Sequence, residues 1–243
     1  MHEQGVPFVV ASGNSMARLL RIFGPDAQDT FFVADNGAHI YQNGQTLFRY
    51  QLPLDLIGEV VAYYGDRLKS LCFMLAHEAG LYMLEGSNRS FADFKAIDQE
   101  QMQAFYRKIS YLEKLEPVSD KPYFKMGMWA PEAEVDAVID ECNRVFAGKI
   151  HAVTSGFGSI DLLPVGIHKA FGIRRILQEL QVEAADIVAF GGNDNDLEIL
   201  ELAGLAYSVG HASDRVRQVA DHHLATNEQS SVLKEMDRLL SSQ

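Results

Sequence analysis

Six consecutive residues, Gly191-Gly192-Asn193-Asp194-Asn195-Asp196, gather carboxylates and carboxamides directly behind the apolar run Ile187 to Phe190 and ahead of helical spacing at Leu197, Leu200 and Leu202. A buried strand feeding a helix through an exposed turn has this pattern. In an open α/β sheet such a turn lies outside the carboxyl end of a strand, where ligands bind. Its oxygens could hold a hard cation or accept hydrogen bonds from a lysine. A plain helix cap is the alternative, since Asn and Asp are favoured there. Ser12-Gly13-Asn14 follows another apolar run, Phe8 to Ala11, and precedes helical spacing at Met16, Leu19, Leu20 and Phe23. A hydroxyl and free amides at a helix start suit an anion, and a Ser or Asn cap is again the alternative. Lys169 opens a third helical pattern, through Ile173, Ile176, Leu177 and Leu180. The helix dipole opposes a cation there, so a buried lysine would require a compensating anion; an exposed lysine would not.

Two other chemistries fail on spacing. A calcium loop counted from Asp194 needs glycine at its sixth position, where Ile199 stands. Neither Gly-rich turn supplies the Gly-x-Gly-x-x-Gly of a dinucleotide site.

The elements that must position these residues alternate. Strands are predicted at 8–11 and 30–34, followed by Asp35-Asn36-Gly37-Ala38 and a β-hairpin, 39–41 with 46–48, around Asn43-Gly44. From about 53 to 153 the pattern changes to a helix (56–64), strands (70–76, 80–84), aromatic helical spacing at Phe91, Phe94, Met102 and Phe105, a strand (123–129), a helix (131–146) and a strand (149–153). These are enough for an inserted α+β module with its own core. A strand at 159–163, the helix from Lys169, strands at 187–190 and 206–210, a helix through Val216 and Val219, the strand His222 to Thr226 and a terminal helix through Val232, Met236 and Leu239 complete the chain. His222 and His223 would face opposite ways on a strand, which argues against joint metal ligation. The beginning is abrupt, since Met1 to Gln4 resembles the frayed end of a helix and the first strand has no crossover helix before it.

At 243 residues the chain can bury one large or two modest cores. A composition 47% hydrophobic and 22% charged is that of a soluble globular protein, and a net charge of −12 argues against nucleic acid or an anionic membrane as partner. Cys72 and Cys142 lack a disulfide or metal spacing, which suits reduced thiols in the cytoplasm. No run is long enough for a membrane span, and the start is not a signal peptide.

Taken in order, Val9-Val10-Ala11-Ser12-Gly13-Asn14, Asp35-Asn36-Gly37-Ala38, a cap-sized insertion, Gly166-Ile167-His168-Lys169 and Gly191 to Asp196 resemble the Cof-type branch of the haloacid dehalogenase-like phosphatases. Phe8 to Asn14 and Val153 to Leu162 are most similar to its sugar-phosphatase members. The resemblance implies a three-layer, Rossmann-like α/β core at 1–52 and 154–243 with an inserted α+β cap at 53–153. It implies that Ser12 and neighbouring amides such as that of Gly13 bind the transferring phosphoryl group, that Lys169 neutralises it, that Asn195 contacts phosphate and that Asp196 supports the lysine and the metal sphere. Asn36 and Gly37 match the turn beside the site. Mg²⁺ is the implied cofactor, a small phosphorylated metabolite the implied substrate, and an aspartyl-phosphate the implied intermediate.

Two departures qualify the likeness. The family's Asp-x-Asp-Gly-Thr motif, which carries the nucleophile, is absent, as though about one strand and one helix preceded an internal Met1. The family also writes Gly-Asp-x-x-Asn-Asp in its last motif, with the first Asp on the metal, and Gly192 stands at that position. Asp194 could reach the metal only through a rearranged turn. The expectation is a truncated or degenerate phosphatase of weak or no activity. The alternative is a non-catalytic phospho-ligand-binding or interaction protein of the same fold, and unpaired sheet edges would favour a homo-oligomer.

Overall fold

The computed structural model describes residues 5–77, 80–87, 109–115, 122–156, 158–226 and 229–241. These form two compact units, 1–49 with 166–243, and 50–165.

The first unit carries the rim residues. β1 (Val9–Ala11) pairs in parallel with β2 (Phe31–Ala34), and β2 continues antiparallel to β3 (His39–Gln42) and β4 (Gln45–Arg49). The predicted hairpin turn is present, with Asn43 and Gly44 at φ 47° and 80°, the paired positive values that an Asn-Gly turn supplies. Every residue of β2 is buried, because its alternating side chains meet helices on both sides. Phe31 and Val33 pack with Ile173, Ile176 and Leu177 of α5 (Lys169–Leu180), whereas Phe32 and Ala34 pack with Met16 and Leu19 of α1 (Met16–Phe23). This is the three-layer α/β arrangement expected. A second, wholly parallel sheet orders β11 (Val188–Gly191), β12 (Leu205–Ser208) and β13 (His222–His223). Small residues Ala189, Ala206 and Ala212 let Leu200 of α6 (Leu197–Leu202) and Val216 of α7 (Asp214–Val219) pack closely on it. The terminal helix α8 (Ser231–Ser241) is tied to β12 by Tyr207, whose hydroxyl donates to Glu235 at 2.8 Å. His222 lies against the Tyr207 ring while His223 bonds Ser208, so the two histidines do serve different neighbours.

The second unit is a six-stranded sheet in the order β7-β6-β5-β8-β10-β9: Ile109–Leu112, Gly80–Leu84, Met74–His77, Tyr123–Trp129, Ser159–Pro164 and Ile150–Gly156. α2 (Leu54–Tyr64), α3 (Arg67–Ser70) and α4 (Glu132–Val145) supply Ile57, Val60, Leu68, Val138 and Cys142 to one core with Leu75, Met126, Ile160 and Leu162 of the sheet.

Two expectations need correction. The boundary after the insertion falls at 165 rather than 153, because β10 pairs antiparallel with both β8 and β9 and so belongs to the inserted sheet. The strand expected at 70–76 begins only at Met74: Arg67 to Ser70 is helical, and Cys72 takes φ 44° in the turn between. The aromatic helical spacing at Phe91, Phe94, Met102 and Phe105 and the frayed helix at Met1 to Gln4 lie outside the described residues. Among those described, Cys72 and Cys142 are buried and form no disulfide, and no helix is long and apolar enough to cross a membrane.

Candidate functional site

The site is built on backbone close approach. After β2 the chain turns through Asp35, Asn36 and Gly37 at φ 48°, 53° and 100°. Asn and Asp are among the few side chains that tolerate this region, and three in succession reverse the chain within the turn. Gly37 has no substitute, since a Cβ there would stand 2.1 Å from the carbonyl oxygen of His168. The turn therefore lies directly on the start of α5. It is also sewn to the loop after β1, with Asn36 N donating to Ser12 O at 3.0 Å and Asp35 N to Asn14 O at 3.0 Å. Beneath, Gly172 lets α5 settle on β2, because a Cβ there would stand 2.4 Å from Val33 Cγ1.

These contacts deliver Lys169 as the first residue of α5, only 5% exposed. The anion that the sequence demanded is Asp196: Lys169 Nζ donates to its Oδ1 at 2.5 Å. Asp196 Oδ2 accepts the amides of Gly192 at 2.9 Å and Asn193 at 3.1 Å, and the Asp196 amide in return donates to the Asn193 side chain. The six-residue loop is thus both a capped helix start and a lysine acceptor, and its alternative readings hold together. Gly191 permits the tight turn, since a Cβ there would meet Asp196 Cβ at 2.7 Å.

Asn195 is buried and links the two halves of the rim, its Nδ2 donating to Asn36 Oδ1 at 2.9 Å. Its own Oδ1 is buried without a partner among the described residues. Ser12 is half-buried, and its Oγ accepts from the backbone N and the Nδ2 of Asn14, each at 3.1 Å. Neither residue caps α1, whose N-cap is Ser15. Ser12, Asn36, Lys169, Asn195 and Asp196 are therefore joined by one chain of contacts.

The cation-binding expectation for the same loop fares differently. Both carboxylate oxygens of Asp194 are engaged on the α7 side, by Ser213 Oγ at 2.6 Å and Arg215 Nη1 at 2.8 Å. Those of Asp196 are held by Lys169 and the loop amides. Among the described residues no group of three or more His, Cys, Asp or Glu side chains is placed to hold a metal ion. Mg²⁺ needs near-octahedral oxygen ligation, so the residues present do not fit it, and neither Asp194 nor Asp196 is placed as its ligand. Gly172, Ser213, Arg215 and Val209, which stands against Gly192, were not singled out by sequence. Only the glycine carries a local sign, at a helical position where glycine is costly.

The sequence profile of the haloacid dehalogenase-like hydrolases matches residues 1–236. The chain belongs to this family. Among its haloacid dehalogenase-like relatives, 5-amino-6-(5-phospho-D-ribitylamino)uracil phosphatase YbjI of Escherichia coli (strain K12) is 28% identical over 242 residues, 99% of this chain and 85% of that protein. HMP-PP phosphatase of Cronobacter sakazakii is 23% identical over 91% of this chain and 78% of its own. The subclass IIB sugar phosphatase BT4131 shares the fold at a TM-score of 0.75 and 18% identity, covering 98% of this chain and 87% of its own. Both of these curated relatives are named as phosphatases of small phosphorylated metabolites.

Proposed function

We propose that this chain binds phosphate monoesters of small metabolites, sugar phosphates first among them, at the rim formed by Ser12, Asn36, Lys169, Asn195 and Asp196, and that these 243 residues hydrolyse them weakly or not at all. The observation that carries the reading is Lys169, buried at a helix start and aimed by Asp196, which is itself fixed by two amides. An ammonium group has three donors. One is held by Asp196, leaving donors for phosphoryl oxygens. The Ser12 hydroxyl offers a further donor, and Asn195 Nδ2 has a second N–H beyond the one it gives to Asn36. Phosphoryl transfer depends on such positioning and charge stabilisation. Mg²⁺, when bound in this family, supplies charge neutralisation of the transferring group; the donor set of the described residues does not fit it.

In this reading the 50–165 unit acts as the cap that excludes water and selects the leaving group, and the protein works in the cytoplasm. A homo-oligomer is part of the proposal: among the described residues β1 and β11 are each paired on one side only, and unpaired edges invite association. Gly192, at the position where the family places a metal-binding aspartate, favours the second reading, a non-catalytic holder of phosphorylated ligands. Calorimetric binding and phosphate release, measured on a panel of sugar phosphates with Mg²⁺ or EDTA, test both. Binding that disappears in Lys169→Met with little release is expected. Rapid release abolished by Lys169→Met would overturn the weak-activity part, and no binding of any ester would overturn the site.

A further inference from the structure

An apolar side chain from outside every motif, Val209, stands against the 191–196 loop. A Cβ added to Gly192 would stand 2.7 Å from Val209 Cγ2, with His211 Nε2 beyond it at 3.8 Å. Such an overlap is relieved only if one of the two backbones or the valine rotamer gives way. Gly192 is held at both ends, its N donating to Asp196 Oδ2 at 2.9 Å and its O accepting Ser213 N at 3.1 Å. Val209 is held likewise, its N donating to Gly191 O at 3.0 Å and its O accepting Ala212 N at 2.9 Å. Its side chain packs against the small cluster of Ala189, Leu200, Ala206 and Ala212, and a β-branched residue has few rotamers to retreat into.

We infer that Val209 excludes a divalent cation from this loop, by filling the volume in which a ligating side chain at 192 would stand. The loop is held instead from both sides by organic charges. Lys169 takes Asp196, and Arg215 with Ser213 takes Asp194. A cation approaching it would have to strip carboxylates from bonded partners and sit against a methyl group, where Mg²⁺ requires oxygen. Replacing Gly192 alone therefore does not rebuild a metal site; position 209 must be emptied with it. The consequence for catalysis rests on the phosphoryl-site reading proposed above, whereas the exclusion itself rests on packing alone.

The test uses the full chain and Mg²⁺ alone, read by thermal unfolding and calorimetry, since a ligand that binds only the folded state raises the unfolding temperature with its concentration. The unmodified chain is expected to unfold at the same temperature in EDTA and in millimolar Mg²⁺, with no saturable heat. Gly192→Asp is expected to unfold at a lower temperature and to stay indifferent to Mg²⁺. Gly192→Asp with Val209→Ala is expected to recover part of the loss, because the new side chain then has room to stand. Saturable Mg²⁺ binding by the unmodified chain, abolished by Asp194→Asn, would overturn the inference. So would a Gly192→Asp chain as stable as the parent, or a folded double variant no more stable than Gly192→Asp alone. If a Gly192 variant does not fold, the unmodified chain and Val209→Ala still decide, because Mg²⁺ binding by the former refutes exclusion. Mg²⁺ binding by the unmodified chain would refute this inference and leave the phosphate-site reading standing; failure to bind any phosphate ester would do the reverse.

Discussion

Each unit buries a lysine–aspartate pair, Lys169–Asp196 at 2.5 Å in the first and Lys125–Asp161 at 2.8 Å in the second. The two pairs are nearly alike in exposure and differ in what the aspartate holds. Asp196 sits at a strand-to-helix turn, where it also fixes the amides of Gly192 and Asn193 and so shapes the loop. Asp161 lies in mid-strand on β10, opposite Gly127 of β8, and reaches Lys125 diagonally across the ladder. A buried ion pair seldom stabilises more than apolar residues of the same volume, though breaking one by removing a single partner is costly. The first pair should therefore be irreplaceable, because backbone depends on it, and the second should be replaceable as a unit.

The largest effect is expected from Lys125→Met, which leaves Asp161 in the sheet without its lysine and should lower stability by about 3–5 kcal/mol in urea denaturation. Adding Asp161→Leu should recover most of that loss. The equivalent double change Lys169→Met with Asp196→Leu should recover nothing, since the Gly192 and Asn193 amides lose their acceptor; equal recovery in both units would erase the distinction. Next comes Gly172→Ala. Its methyl would press on Val33 and lift α5 from β2, at a cost of roughly 1–3 kcal/mol. Phosphate-ester binding should weaken with it, because Lys169 rides on that helix, and undiminished binding would show that the seat of α5 is not what aims the lysine.

The smallest effect separates the units by pH. Burial, aided by nearby Arg49, lowers the pKa of His39 in the first unit from 6.5 to about 4. The unfolded chain then binds the extra proton first, so this contribution is complete above pH 6.5 and is lost as pH falls toward 4. In the second unit the hydrogen-bonded Arg67 guanidinium holds Glu141 down from 4.5 to about 2, with Tyr63 donating as well. That contribution persists above pH 4.5 and is lost only as pH falls toward 2. Hydrogen exchange across an acid titration should show strands β2 to β4 loosening at a higher pH than α4. His39→Gln should flatten the first phase, and an unchanged first phase would reject its assignment to this histidine.

Much of the first unit could be read from the chain. The all-apolar β2, the Asn43-Gly44 hairpin and the loop after β11 announce themselves through local pattern, and the order of Ser12, Asn36, Lys169 and Asn195 pointed to one rim. Other features were not legible because they arise between residues with no shared pattern. Nothing near Lys125 marks it as the partner of Asp161, and β10 reads equally well as a core strand or an inserted one until its neighbours are known. Gly192 was visible as a departure, but Val209 became its counterpart only through space.

The bond between Asn195 and Asn36 spans 159 positions. Closing so long a loop costs entropy that grows only with the logarithm of its length, yet contacts this distant form late on the way to the native state. During synthesis the turn at Asp35 to Gly37 emerges well before the helix start that Gly37 must face, and the 50–165 unit, with its own core, can collapse in the interval. Once folded, that unit replaces a wandering tether with a fixed span. The rim is therefore expected to assemble after that unit has folded, so a destabilised insert should delay the recovery of phosphate-ester binding on refolding.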